Sequence, residues 1–205
     1  MNITDIAKNA NTSALVLAHL STDLKNQALG LMADALEENC DAILAANEKD
    51  LEFAKKEGIA QPLIARLALN EEKVSGMAKG IRSVVALEDP VGKVKSMMEM
   101  DQDLVVKQVT CPIGVIGAIF ESRPDALVQI ASLCIKSGNV VILKGGREAF
   151  HTNLLLAKLI SSALIDAGIP KGTLQLLEGR EDVKSLLPRD DAIDLLIPRG
   201  GNDFV

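Results

Sequence analysis

The 205 residues contain no tryptophan or tyrosine and only four phenylalanines. The usual stacking platforms for single-stranded nucleic acids are therefore reduced to those four rings. A net charge of −6, without a block of about five like charges, also argues against non-specific nucleic-acid binding. Two histidines, His19 and His151, and three cysteines, Cys40, Cys111 and Cys134, leave little from which to build a metal site. The cysteines form no CxxC pair, and their odd number suits a reducing compartment. No apolar run reaches the ~18 residues of a membrane span. The amino terminus lacks the basic and apolar regions of a signal peptide, so the expectation is a soluble, cytoplasmic protein with no membrane partner.

Hydrophobic residues make up 48% of the chain, enough for a sizeable core. The first ninety residues read as a helical layer. Ile6, Ala10, Ala14 and Leu17 recur at helical spacing, and Ser21 is placed to cap a second helix with Leu24, Ala28, Leu31 and Ala35 inward. A third helix runs from Asn39, carries Ile43, Leu44, Leu51 and Ala54, and stops at Gly58. Pro62 reads as an interruption, followed by an apolar turn over 63–69. Asn70 can cap another helix with Val74, Met77, Ile81 and Val84 inward, broken at Asp89-Pro90. This layer shows little catalytic chemistry. Two extended stretches then flank Asp101-Gln102-Asp103 and predict a hairpin arm over 91–110.

The stretch GVIGAIFESRPDALVQIASLCIKSGNVVILKGG, residues 114–146, reads as strand, polar turn, helix, strand and turn. Val115 to Phe120 and Asn139 to Lys144 are short apolar runs suited to strands buried on both faces. Pro124 fits the first turn of the helix between them. Ala126, Leu127, Ile130, Leu133 and Cys134 form its apolar stripe, and Gly138 ends it. Cys134 therefore reads as core, and Cys111 has no close His, Lys or Arg to activate it. A helix over 150–167, a strand over 174–177, a helix over 181–187 and a strand over 192–197 follow.

Ligands on parallel sheets bind outside the carboxyl ends of the strands. Glu121, Ser122 and Arg123 fall at that edge, as do Lys144, Gly145 and Arg147. No Walker loop or GxGxxG fingerprint is present. Lys144 can reach ribose hydroxyls or a phosphate as a point charge, or simply snorkel from the sheet edge. Arg199 with Gly200-Gly201 offers charge and free backbone N–H groups for a pyrophosphate, or a plain turn. The chain stops shortly after that turn, which predicts a fragment of something longer.

ESRPDAL, SGNVVILKGGREA, AGIPKG and IPRGGNDFV resemble the gamma-glutamyl phosphate reductases, also called glutamate-5-semialdehyde dehydrogenases, within the aldehyde dehydrogenase superfamily. STDLKNQALGLMADAL and ILAANEKDLEFAK extend the resemblance to nearly the whole chain. It implies an α/β fold, with the helical layer of residues 1–90 packed on a mostly parallel, Rossmann-like sheet in 111–205. It also implies reduction of L-glutamate 5-phosphate by NADPH through a cysteine thioester, in proline biosynthesis. The cofactor-binding residues implied are Lys144, Gly145, Arg199, Gly200 and Gly201, with Glu121, Ser122 and Arg123 as the substrate or oxyanion region. Glu121 to Arg123 stand where ordinary aldehyde dehydrogenases have Pro-Trp-Asn, leaving backbone N–H groups to hold an oxyanion. None of the three cysteines matches the family's nucleophile. The expectation is a cofactor-binding half without the cysteine domain, inactive alone, whose intact enzyme is a homo-oligomer joined through the hairpin arm. The competing reading is a non-catalytic nucleotide-binding or assembly module; a different acyl-CoA or aldehyde dehydrogenase is disfavoured by ESRP.

Overall fold

The computed structural model describes residues 3–186 and 188–199. Five helices come first: α1 (Ile3–Leu17), α2 (Thr22–Glu38), α3 (Cys40–Lys56), α4 (Gln61–Leu67) and α5 (Glu71–Val85). The caps expected for α2 and α5 form, with Leu24 N–H donating to Ser21 Oγ at 3.2 Å and Lys73 N–H to Asn70 Oδ1 at 2.8 Å. Pro62 corrects the sequence reading. It sits in the first turn of α4, where no backbone N–H is needed, so it opens a helix instead of interrupting one.

A two-stranded antiparallel hairpin follows, β1 (Val94–Asp101) with β2 (Leu104–Val109). Every residue of both strands is exposed, including Met97, Met98, Met100, Val105 and Val106. The hairpin is fastened at its root. Thr110 Oγ1 donates to the Pro90 carbonyl at 2.6 Å and accepts from Lys93 N–H at 2.8 Å.

The rest is a four-stranded parallel sheet: β3 (Val115–Ile119), α6 (Pro124–Lys136), β4 (Val140–Lys144), α7 (Phe150–Asp166), β5 (Leu174–Leu176), α8 (Arg180–Leu186) and β6 (Leu195–Pro198). β3 and β4 are buried at every position, as continuous apolar runs require. Gly138, at φ +71°, ends α6 in the left-handed conformation and turns the chain into β4. Leu133 departs from expectation: α6 is turned so that Leu127, Val128, Ala131, Cys134 and Ile135 face inward, which leaves Leu133 on the outer side. β6 also begins later than the apolar pattern suggested, and just before it Asp194 meets Val115 twice, its N–H donating to the carbonyl at 3.0 Å and its carboxylate accepting the N–H at 2.8 Å.

The strand order is β5-β4-β3-β6. The chain steps outward from β3 to β4 to β5, then returns to lay β6 on the other side of β3. Right-handed crossovers place α6 and α7 on one face and α8 on the other. α1 packs across β4 beside α8, while α2, α3 and α5 form an outer layer on α6 and α7. One continuous apolar core joins the helical layer to the sheet. Among the described residues, no helix is long and apolar enough to cross a membrane.

Candidate functional site

The crossovers part between β3 and β6, so the crevice at the carboxyl ends of those two strands is the topological switch point of the sheet. A cleft of about 950 Å³ opens there. Its base is Phe120 to Arg123 at the end of β3. Ile119 pairs in register with Lys144 on one side and Pro198 on the other, so the ends of β3, β4 and β6 share one edge. Arg199 follows directly, exposed, with its N–H on the Ile119 carbonyl at 2.9 Å. Gly200 and Gly201 lie outside the described residues.

The turn after β3 is held by a neighbouring loop. Ser122 is buried at φ +46°, a conformation that costs an L-residue about 1–2 kcal/mol. Glu148 Oε1 accepts both its N–H, at 2.6 Å, and its hydroxyl, at 2.7 Å. Gly146 is what lets that carboxylate approach, since a Cβ there would fall on it. Both donors of Ser122 are thus committed to Glu148, and neither serves an oxyanion. Arg123 forms a two-pronged pair with Asp125, Nη2 to Oδ2 at 2.7 Å and Nε to Oδ1 at 3.3 Å. Glu121 is exposed at the rim. Of the three, only Glu121 is without a local side-chain hydrogen-bond partner among those described.

Lys144 ends β4 buried, at 7% exposure, with its ammonium donating to the Gly145 carbonyl. It lines a small crevice of about 10 Å³ with Gly145, Arg147, Asn153 and Glu178. An open hollow of about 500 Å³ adjoins it, sharing Arg147, Phe150 and Glu178 and walled by Asp50 and His151. The start of α7 is fixed from another helix. Asp50 of α3, 1% exposed, accepts N–H from His151 at 2.9 Å and from Thr152 at 2.8 Å, and the Thr152 hydroxyl at 2.6 Å. That arrangement satisfies donors every helix start leaves open. Asn153 is the exception. Its amide nitrogen and oxygen are both buried without a partner, two of three such side-chain atoms among the described residues. Gly145 packs against this amide so closely that a Cβ would overlap it. A lysine and an orphaned amide at one small opening together fit a sugar hydroxyl, which both donates and accepts.

Asn47, Asp50 and Asn153 were missed by sequence reading, although a signal existed. Asn47 and Asp50 stand on the same helical stripe as Ile43 and Ala54, and a polar residue at a core position needs a partner. Glu148 carried no such mark.

No cysteine lines the cleft. Cys134 is in the core, where burial pushes its thiol up to about 12. Cys111 is exposed on the segment entering β3, at the opposite edge of the sheet, and Cys40 opens α3. Among the described residues no group of three or more His, Cys, Asp or Glu could hold a metal.

The sequence pattern of the aldehyde dehydrogenase family matches residues 1–204. The chain belongs to that family. It is 51% identical over all its 205 residues to a gamma-glutamyl phosphate reductase of Ruminiclostridium cellulolyticum, covering 48% of that protein. Among solved structures, the gamma-glutamyl phosphate reductase of Thermotoga maritima superposes with a TM-score of 0.96 at 34% identity, over 100% of this chain and 50% of that one. The Saccharomyces cerevisiae enzyme gives 0.93 at 43% identity, over 99% of this chain and 52% of that one. The family fold is therefore the one expected from ESRPDAL and LKGG, and the chain spans about half the length of the relatives it matches.

Proposed function

We propose that this chain is the nucleotide-holding part of a gamma-glutamyl phosphate reductase, which uses NADPH to convert L-glutamate 5-phosphate to the 5-semialdehyde and phosphate in proline biosynthesis. The observation that carries this reading is the placement of Lys144 beside the orphaned Asn153 amide, one strand from the switch point. In this reading Lys144 and Asn153 meet ribose hydroxyls, and Gly145 leaves the room that the Asn153 amide occupies. Arg199, with Gly200 and Gly201 as the sequence reading expected, takes the pyrophosphate. The nucleotide, when bound, supplies hydride. The chain's own part is to orient it and to present the anionic substrate at the β3–β6 cleft. Acyl transfer also needs a thiolate, which displaces phosphate to give a thioester. Cys40, Cys111 and Cys134 are all placed away from the cleft, so the thiol comes from sequence beyond this chain. The setting is a soluble, cytoplasmic enzyme.

Titration of the purified chain with NADPH, followed by nicotinamide fluorescence, tests the proposal. Saturable binding is expected, weakened about tenfold by Lys144→Ala, which removes a charge-assisted contact of roughly 1.5 kcal/mol. No reduction of L-glutamate 5-phosphate is expected from this chain alone.

A second reading is favoured by the hairpin. A two-stranded ribbon exposed on both faces, with Met97, Met98 and Met100 outward, is marginal unless another surface covers it. In the intact enzyme that surface is a second copy. Self-association abolished by Met98→Glu, without NADPH binding, would make the chain an assembly module instead.

A further inference from the structure

The β3–β6 cleft has a wall built from helices in which the sequence showed little chemistry. α4 ends there, and its terminal carbonyls are taken up by neighbouring helices. Lys73 of α5 donates from Nζ to the carbonyls of Ala65, at 3.4 Å, and Ala68. Asn47 of α3 donates to the Leu67 carbonyl at 3.0 Å and accepts Leu69 N–H at 2.8 Å. A helix C-terminus held at three points is a fixed platform. Arg66 stands on it, lining the cleft.

The charges there are unlike those of the whole chain. Four cationic side chains, Arg66, Lys73, Arg123 and Arg199, line the cleft with only two carboxylates, Glu121 and Asp125, in a protein of net charge −6. Two of the cations are committed: Lys73 to the α4 carbonyls and Arg123 to Asp125. Arg66 and Arg199 have no ion pair among the described residues. They come from separate elements, one from the helical wall and one from the sheet edge, over a base containing Phe120 and Met77. A guanidinium left unpaired in a cleft is suited to bidentate recognition of a carboxylate or phosphate.

We propose that Arg66 is a specificity-determining residue, its guanidinium binding an anionic group of the acyl phosphate substrate across the cleft from Arg199. The substrate's identity rests on the function proposed above; the anion site rests on the cleft.

The test uses this chain and the phosphonate analogue of L-glutamate 5-phosphate in which methylene replaces the bridging oxygen, measured by isothermal titration. Saturable binding is expected, weakened about tenfold or more in Arg66→Ala and partly recovered in Arg66→Lys, with NADPH affinity within twofold of the parent. Arg66 is exposed, so its replacement leaves the fold intact, which circular dichroism verifies. Competition by inorganic phosphate assigns Arg66 to the phosphoryl end, and competition by L-glutamate alone to the carboxylate end; either supports the site. Unchanged analogue affinity in Arg66→Ala, or no analogue binding by the parent, overturns it. Analogue binding that depends on Arg66 without any NADPH binding sustains the anion site and removes the nucleotide reading. NADPH binding with Arg66-independent analogue affinity does the reverse.

Discussion

The two ends of the sheet edge are built oppositely. At β4 the crevice is small, its lysine buried and its amide unpartnered. Between β3 and β6 the cleft is open and cationic. The difference comes from what the chain does next. After β4 a 3-10 turn, Arg147–Ala149, leads straight into α7, whose first turn packs down on the strand end. Between β3 and β6 the connections diverge to opposite faces, so no helix fills the gap. An open cleft is a consequence of strand order, whereas the crevice is a consequence of side chains.

If that contrast holds, substitutions behind the crevice should act mainly on stability. Asp50→Ala strands three donors at the start of α7 and is expected to cost about 3 kcal/mol, read from the urea midpoint. A loss below about 1 kcal/mol would mean that the start of α7 does not depend on this carboxylate. Glu148→Ala links the two regions, because it removes both hydrogen bonds that Ser122 donates. About 2 kcal/mol is expected, with faster hydrogen exchange at the Ser122 amide. Ser122 itself should show a smaller split. Ser122→Ala keeps the left-handed backbone and loses one hydrogen bond, about 1 kcal/mol, whereas Ser122→Gly offsets that loss by relieving φ and should be near neutral in the same urea assay.

A control lies far from the strand-end sites. Burial opposes ionisation of Asp89, but hydrogen bonds from Lys25, Val91 N–H and Thr22 outweigh it and hold the carboxyl below its ordinary value. A depressed folded pKa means the contribution is present above the unfolded value, about 3.9, and is lost as pH falls through the folded one. Stability measured from pH 5 downward should therefore decline less steeply in Asp89→Asn, by less than about 1 kcal/mol. Crevice and cleft ligand affinities at pH 7 should not change.

Much of the fold was legible because its signals are local. Short apolar runs bounded by Pro124, Gly138 and Gly168 mark a parallel crossover unit, and Ser21 and Asn70 announce helix starts in the residues that cap them. α4 was misread because Pro62 carries the same weight as breaker and as opener, and only the hydrogen bonds around it decide. The candidate site was legible as far as the strand ends. Its architecture was not, since Asp50 with Thr152, Glu148 with Ser122, and Lys73 with α4 pair residues across folds of the chain. Arg66 was invisible for the same reason: nothing near it in sequence says that α4 ends at the carboxyl edge of β3.

Hydrogen–deuterium exchange on the chain with and without NADPH tests the central claim most directly, because it reports where the nucleotide sits. The account predicts slowed exchange in 144–153, at the start of α7, and in 119–123, with the hairpin over 94–109 unchanged. Protection confined to the hairpin, or none at saturating nucleotide, would contradict it.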